Sequence, residues 1–324
     1  MRERIIVICV GALLDILFGD PHWLWHPMRA IGKLISTLEK VLRRLICPGG
    51  DEKKERLAGL VLVCLVLLFS VGVPAAIIYL LQKTGAIWSI AVQGIMCYQL
   101  LAARSLYSES MKVYRELREK DTEAARKAVS MIVGRDTAPL DEEGIIKAAV
   151  ETVAENTSDG VIAPLLFIFL FGIPGGFFYK AVNTMDSMIG YKNEKYINLG
   201  RCAARVDDIL NYIPARISAV YMIAAAFLSG LDARNAFRIW RRDKRKHASP
   251  NSAQTEAVCA GALNIQLAGD AYYFGSLCKK DTIGDANRRV TAEDIVLANK
   301  LMLVTFALVF ATGMAVLVFF LAGG

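Results

Sequence analysis

"ETVAENTSDGVIAPLLFIFLFGIPGGFFY" occupies residues 151–179, and its reading decides the fold. Two glutamates, an aspartate and an asparagine crowd its first nine positions. From Val161 the run is apolar until Gly172-Ile173-Pro174-Gly175-Gly176 interrupts it. Such a break is tolerated in a bilayer only where protein or a wet cavity covers the freed backbone. The stretch therefore predicts a broken or re-entrant membrane segment with carboxylates at its lip. Charges in that place are costly unless they are paired, metal-bound or facing a cavity.

The rest of the chain agrees with a membrane setting. Of its 324 residues 55% are hydrophobic, and the mean hydropathy is +0.39. Leu57–Leu81 and Leu301–Ala322 are long enough for the roughly 20 residues that cross a bilayer core. Ala86–Ala103, Val161–Tyr179 and Ile217–Leu231 are further candidate spans, and Ile5–Phe18 is a shorter one carrying Asp15. The basic residues ahead of Ile5 hint at a signal peptide. No small-residue cleavage site precedes Gly19-Asp20-Pro21, so the segment is expected to be retained. The expected fold is all-α: one polytopic integral membrane helical bundle over residues 1–324, with cytoplasmic helical segments.

Charge supplies orientation. Segments 19–56, 104–160 and 232–300 carry 8, 9 and 12 Lys and Arg, whereas Lys83 stands alone between two apolar stretches. The positive-inside rule places the three basic segments in the cytoplasm. The net charge of +7 suits anionic headgroups and phosphorylated substrates. No nucleic-acid motif is present. The seven cysteines occur singly, which excludes a C-x-x-C zinc or redox motif and leaves them as packing residues.

Local signals are helical, with no convincing alternating strand. Asp121 and Asp141 are natural N-caps, the first following a break near Lys120, and Gly134 is a natural stop. Arg234–Lys246, a basic segment with Phe237, Ile239 and Trp240, is suited to lie along the inner leaflet. His22 and His26 share metal-ligand spacing, but Pro21 and Pro27 favour a tryptophan-rich interfacial loop instead. Gly32-Lys33 lacks the remainder of a phosphate loop.

Four constellations could carry chemistry. Glu151, Glu155 and Asp159 stand four apart and would share one side of a continuing helix, unless they form an exposed ladder with Lys147. Lys180, Asn183 and Asp186 follow at intervals of three in "KAVNTMDSMIGY". In "GRCAARVDDILNYIPAR", Arg201, Arg205 and Asp208 form a stripe with Asp207 and Asn211 beside it, and Arg216 follows Pro214. In "SPNSAQTEAVCAGALNIQLAG", Ser249 is a natural N-cap before Pro250. Asn251 and Ser252 there either hold an anion at the helix start or belong to a well-capped packing helix.

These segments, with "GDPHWLWHPMRAIG" and "VGRDT" at Val133–Thr137, follow one order from Asp15 to about Gly269. As an ordered set they resemble the adenosylcobinamide-phosphate synthase family of cobalamin biosynthesis (CobD/CbiB family). The resemblance implies an ATP-dependent amide ligase that joins aminopropanol, or its phosphate, to the free carboxylate of adenosylcobyric acid. It implies ATP and Mg²⁺ as cofactors, a corrinoid as substrate, membrane lipids as surroundings and other corrinoid-pathway enzymes as partners. Amide formation from a carboxylate needs cations for phosphates, carboxylates for Mg²⁺ and a base for the ammonium. Arg135, Arg201, Arg205 and Arg216 are the expected phosphate ligands, supported by Asn183, Ser249, Asn251 and Ser252. Asp186, Asp207 and Asp208 are expected at the metal, and Glu151, Glu155 or Asp159, with Asp186, in catalysis. A transporter with broken helices, or a non-catalytic membrane anchor, are the rival readings; the ordered motifs favour the ligase.

Overall fold

The computed structural model describes residues 2–21, 23–47 and 51–323, so His22 lies outside the described residues. The chain begins with α1 (Arg2–Phe18), α2 (Pro27–Ile46), α3 (Glu52–Thr84), α4 (Ala86–Leu100), α5 (Ala103–Arg118), α6 (Thr122–Ser130) and α7 (Glu142–Asn156). A π-helical turn, Thr157–Ile162, leads into α8 (Ala163–Ile189), followed by α9 (Arg201–Leu210), α10 (Tyr212–Leu228), α11 (Ala233–Asp243) and α12 (Ser252–Leu263). Four three-residue strands come next: β1 (Gln266–Ala268), β2 (Ala271–Tyr273), β3 (Ser276–Cys278) and β4 (Thr282–Gly284). The last element is α13 (Glu293–Ala322).

Four helical stretches are long and apolar enough to cross a membrane: Glu52–Thr84, Ala86–Arg118, Glu142–Ile189 and Glu293–Ala322. A fifth exists if α9 and α10, bent by 43° at their junction, count as one. Contacts divide the chain into two compact units. The first holds Met1–Leu101, Ala163–Asn211 and Met314–Gly324; the second holds Ala102–Ile162 and Tyr212–Gly313.

In the first unit α1 packs along α4, and α3 packs on α2 and α8. The break expected in the apolar run is real. Gly172 has φ 70° and ψ −163°, a conformation open only to glycine. Beyond it the chain folds back on itself, so that a Cβ added at Gly176 would meet Ile168 Cγ1 at 2.7 Å. The stretch 161–179 is thus not one straight crossing. Carbonyls freed at the turn need partners, and Arg4 Nη1 donates to Phe169 O and Leu170 O, each at 3.3 Å.

In the second unit the expected caps form. Asp121 accepts from the Ala124 amide and Asp141 from the Gly144 amide, each at 2.8 Å. Lys120 takes up the intervening break with φ 60°. α6 ends at Ser130, before the stop expected at Gly134. The strands escaped a sequence reading that found only helix, because three residues are too few to display alternation. β1 pairs antiparallel with β4, and β2 with β3. Phe274 and Gly275, both with positive φ, make the tight turn between β2 and β3.

The inner-leaflet reading of α11 is altered by its packing. Ile239 is fully buried, and Trp240 Nε1 donates to Gln254 Oε1 of α12 at 2.9 Å. Two of its basic residues are drawn to the strand segment, while Arg234 and Arg241 stay exposed. Arg238 and Arg242 bind Asp285, and the buried Asp243 accepts from Arg242, Lys246 and the Gly284 amide. Burial alone would raise the Asp243 pKa, but those bonds outweigh it and pull the value down to about 2.

Candidate functional site

The acidic run does not form the ladder with Lys147. Lys147 pairs with Glu143 at 2.7 Å, which leaves the next carboxylates of α7 to turn inward. Glu151 is buried and pairs with Arg135 of the α6–α7 connection. Its other oxygen accepts from the Ala268 amide of β1 at 2.7 Å. Glu155, one turn on, accepts from Ser252 Oγ, the first residue of α12, at 2.8 Å. Asp159 does not line the cavity that these two share. The π-helical turn that contains it lengthens the hydrogen-bond spacing and breaks the four-residue register.

That cavity has a volume of about 130 Å³. Besides Arg135, Glu151 and Glu155 it is lined by His247, Glu256, Tyr273 and Lys280, none of which the sequence marked as a site residue. The only available signal was a lone glutamate within the otherwise uncharged α12. Lys280 Nζ donates to Tyr273 Oη at 2.8 Å. His247 Nδ1 accepts from the Ser249 amide at 3.1 Å, which places the proton of the neutral ring on Nε2. Burial lowers the His247 pKa, against the opposing pull of Glu155.

Glu256 is the outlier. It is 4% exposed, and among the described residues no hydrogen bond or ion pair reaches its carboxyl group. Burial, then the charges of Glu155 and Glu151, push its pKa well above the usual carboxylate range. The walls are held by the strands. Asp136, from the same connection as Arg135, accepts from the Phe274 and Gly275 amides at the β2–β3 turn. The Asp243–Gly284 bond fixes β4.

The other residues of the 249–252 segment are placed nearby in sequence but differently engaged. Ser249 Oγ accepts from the Asn251 amide at 3.3 Å, and α12 begins at Ser252, after the cap position expected at Ser249. Asn251 Oδ1 accepts from Arg216 Nη1 at 3.2 Å, while the Arg216 guanidinium stacks 3.4 Å from the Tyr212 ring centroid.

A second polar cluster lies within the first unit. Asp207 of α9 is buried; its Oδ2 accepts from Asn211 Nδ2 at 2.9 Å, and Asn211 Oδ1 accepts from Tyr179 Oη at 2.7 Å. Asn183 and Asp186 of α8 stand beside it. Among the described residues Asp207 Oδ1 is buried without a hydrogen-bond partner. Arg201 and Arg205 are exposed on α9, and Asp208 is partly buried. Among the described residues no three or more His, Cys, Asp or Glu side chains are arranged to hold a metal ion. His26 acts as a cap, accepting from the Met28 amide at 3.2 Å, and Trp23 and Trp25 are exposed as an interfacial loop requires.

Residues 8–302 match the family model described as CobD/Cbib protein. The chain is 46% identical over 297 residues to the cobalamin biosynthesis protein CobD of Clostridium perfringens, covering 92% of this chain and 93% of the relative. It is 49% identical to the protein of the same description from Geobacter metallireducens, covering 88% of each chain. It is 45% identical to the cobalamin biosynthesis protein CbiB of Salmonella typhimurium, covering 95% of each. No solved structure matches. The chain belongs to the CobD/CbiB family of cobalamin biosynthesis proteins.

Proposed function

We propose that this member of the CobD/CbiB family is an ATP-dependent amide ligase acting on a corrinoid carboxylate, adenosylcobyric acid, with aminopropanol or its phosphate as the amine. The observation that carries the reading is the enclosed cavity in which three glutamates face Arg135, His247 and Lys280. Such a site is equipped to hold a small charged group and to move a proton. It is far too small for a corrinoid, so only the reacting end of a substrate enters it.

A carboxylate is a poor acyl donor. Phosphorylating it supplies a leaving group, and an amine with a free lone pair then displaces phosphate. In this scheme Glu151 and Glu155 hold the amine end, and Arg135 orients Glu151. Within the first unit Arg201, Arg205 and Asn183 are assigned to phosphate oxygens, and within the second Arg216, Ser249, Asn251 and Ser252. Guanidinium forks suit such oxygens, and the exposure of Arg201 and Arg205 leaves them accessible to a nucleotide. Asp186 and Asp207, with Asp208, would hold Mg²⁺, which supplies charge neutralisation for the triphosphate. Asp159 has no role in the cavity itself.

The basic segments favour the cytoplasmic side for these groups, where ATP is available. The test is direct: membranes containing the protein, with adenosylcobyric acid, ATP and Mg²⁺, are supplied with each amine in turn. Amide formation that requires ATP is the expected result. A protein that moves corrinoid across vesicles without forming the amide would be a transporter.

A further inference from the structure

Glu256 is a buried acid on the cavity wall with no hydrogen-bond partner among the described residues. A carboxyl group withdrawn from water normally recovers the loss through hydrogen bonds. This one is 4% exposed, lines an enclosed cavity, and meets no donor among the described residues. The groups that face it are Glu151 and Glu155 of α7, Arg135, His247, Tyr273 and Lys280. Their charges nearly cancel. Arg135 pairs with Glu151, Lys280 and Glu155 bring one charge of each sign, and burial disfavours the charged forms of His247 and Glu256. An added anion would therefore face two fixed carboxylates without a spare cation. An added cation restores balance if Glu256 gives up its proton.

Resting on the ligase reading and deepening it, we infer that Glu256 is a catalytic residue: its carboxylate receives a primary ammonium group in this cavity and then takes one of that group's protons. Binding exchanges one positive charge for another. The ammonium enters and the proton held by Glu256 leaves to solvent. In the next step one N–H bond of the ammonium breaks and an O–H bond forms on Glu256. The nitrogen keeps the electron pair with which it attacks the activated carboxylate. Burial suits the residue to this task. An alkylammonium group has a pKa of about 10, so an ordinary glutamate would be mismatched by several units, and raising the acid narrows the gap.

The experiment uses the purified full-length protein in lipid nanodiscs, titrated calorimetrically with 1-amino-2-propanol in two buffers of different ionisation enthalpy near pH 7. The wild type is expected to release about one proton per amine bound. Glu256→Gln, which keeps the size of the side chain, is expected to bind without proton release and to lose at least about 100-fold in amide formation. Glu256→Asp should recover part of both. Equal proton release in Glu256→Gln would overturn the inference while leaving the ligase reading intact. The same release on adding potassium chloride alone would also overturn it, because the cavity would then be a simple cation site. A wild type that neither binds the amine nor forms amide would remove the ligase reading, and this inference with it.

Discussion

The ring of Phe167 stacks on that of Tyr179, with centroids 5.1 Å apart, although the two residues are twelve positions apart in α8. In one unbroken helix they would be separated by about 18 Å along the axis. The pairing means that the chain, having run from Ala163 to Gly172, returns beside itself. Asn183 and Asp186 come back towards the level at which Ala163 entered. Polar motifs on either side of the apolar run therefore need not face opposite sides of the membrane.

A labelling experiment checks this. On a background lacking the seven cysteines, Phe171→Cys near the turn should react with an impermeant reagent applied outside. Ser187→Cys should react only when the inner face is open. Reaction of position 187 from outside in intact cells would replace the fold-back with a full crossing.

The turn itself depends on Gly172. Its φ of 70° with ψ of −163° excludes side chains generally, including the asparagine that serves in ordinary left-handed turns. Gly172→Ala and Gly172→Asn should both destabilise the protein by about 1–3 kcal/mol. Thermal unfolding of the purified variants measures it; unchanged midpoints would mean that the turn is not constrained.

The Arg135–Glu151 pair is largely withdrawn from water, with side chains 17% and 6% exposed. Arg135→Met strands Glu151, a loss of about 3–5 kcal/mol for an uncompensated buried charge. The double variant Arg135→Met, Glu151→Gln should recover much of that loss without recovering activity. A double-variant cycle in chemical unfolding gives the coupling, and strict additivity would show that the pair does not act as one.

Asp243 sets an acid limit. Its pKa is lowered to about 2 in the folded state from an ordinary value of 3.8. A depressed carboxylate contributes stability that is fully present above the unfolded-state pKa and is lost as pH falls through the folded-state value. Stability should therefore decline between about pH 4 and pH 2, and Asp243→Asn should flatten that part of the curve while lowering stability at neutral pH. An identical pH profile in the variant would assign the acid loss elsewhere.

Asp207 and Asp186 separate catalysis from packing. Asp186→Asn and Asp207→Asn should each cut turnover at least tenfold, about 1.4 kcal/mol of barrier, and raise the Mg²⁺ concentration needed for half-maximal rate. Arg205→Lys, which keeps charge but loses the planar fork, should affect ATP or the amine phosphate more than the corrinoid. Initial rates normalised to inserted protein decide; unaltered Mg²⁺ dependence in both aspartate variants returns them to a structural role.

The helical class, the long apolar segments with basic flanks, the caps at Asp121 and Asp141 and the break at Gly172 are all legible in the residues alone. The ordered motifs already pointed to the family. All of these follow from chemistry within a few residues: helix period, a capping side chain, a missing Cβ, the thickness of a bilayer. Which charge meets which depends on packing between distant segments. Lys147 stood four residues from Glu151, yet Glu151 pairs with Arg135, and the π-helical turn takes Asp159 off the cavity that Glu155 lines. Glu256 carries no mark in the sequence beyond being the lone charge of α12, and only the fold shows it buried against two other glutamates. Periodicity records which way a side chain points on its own helix. Desolvation, and the partner supplied from a hundred residues away, exist only after the chain has packed.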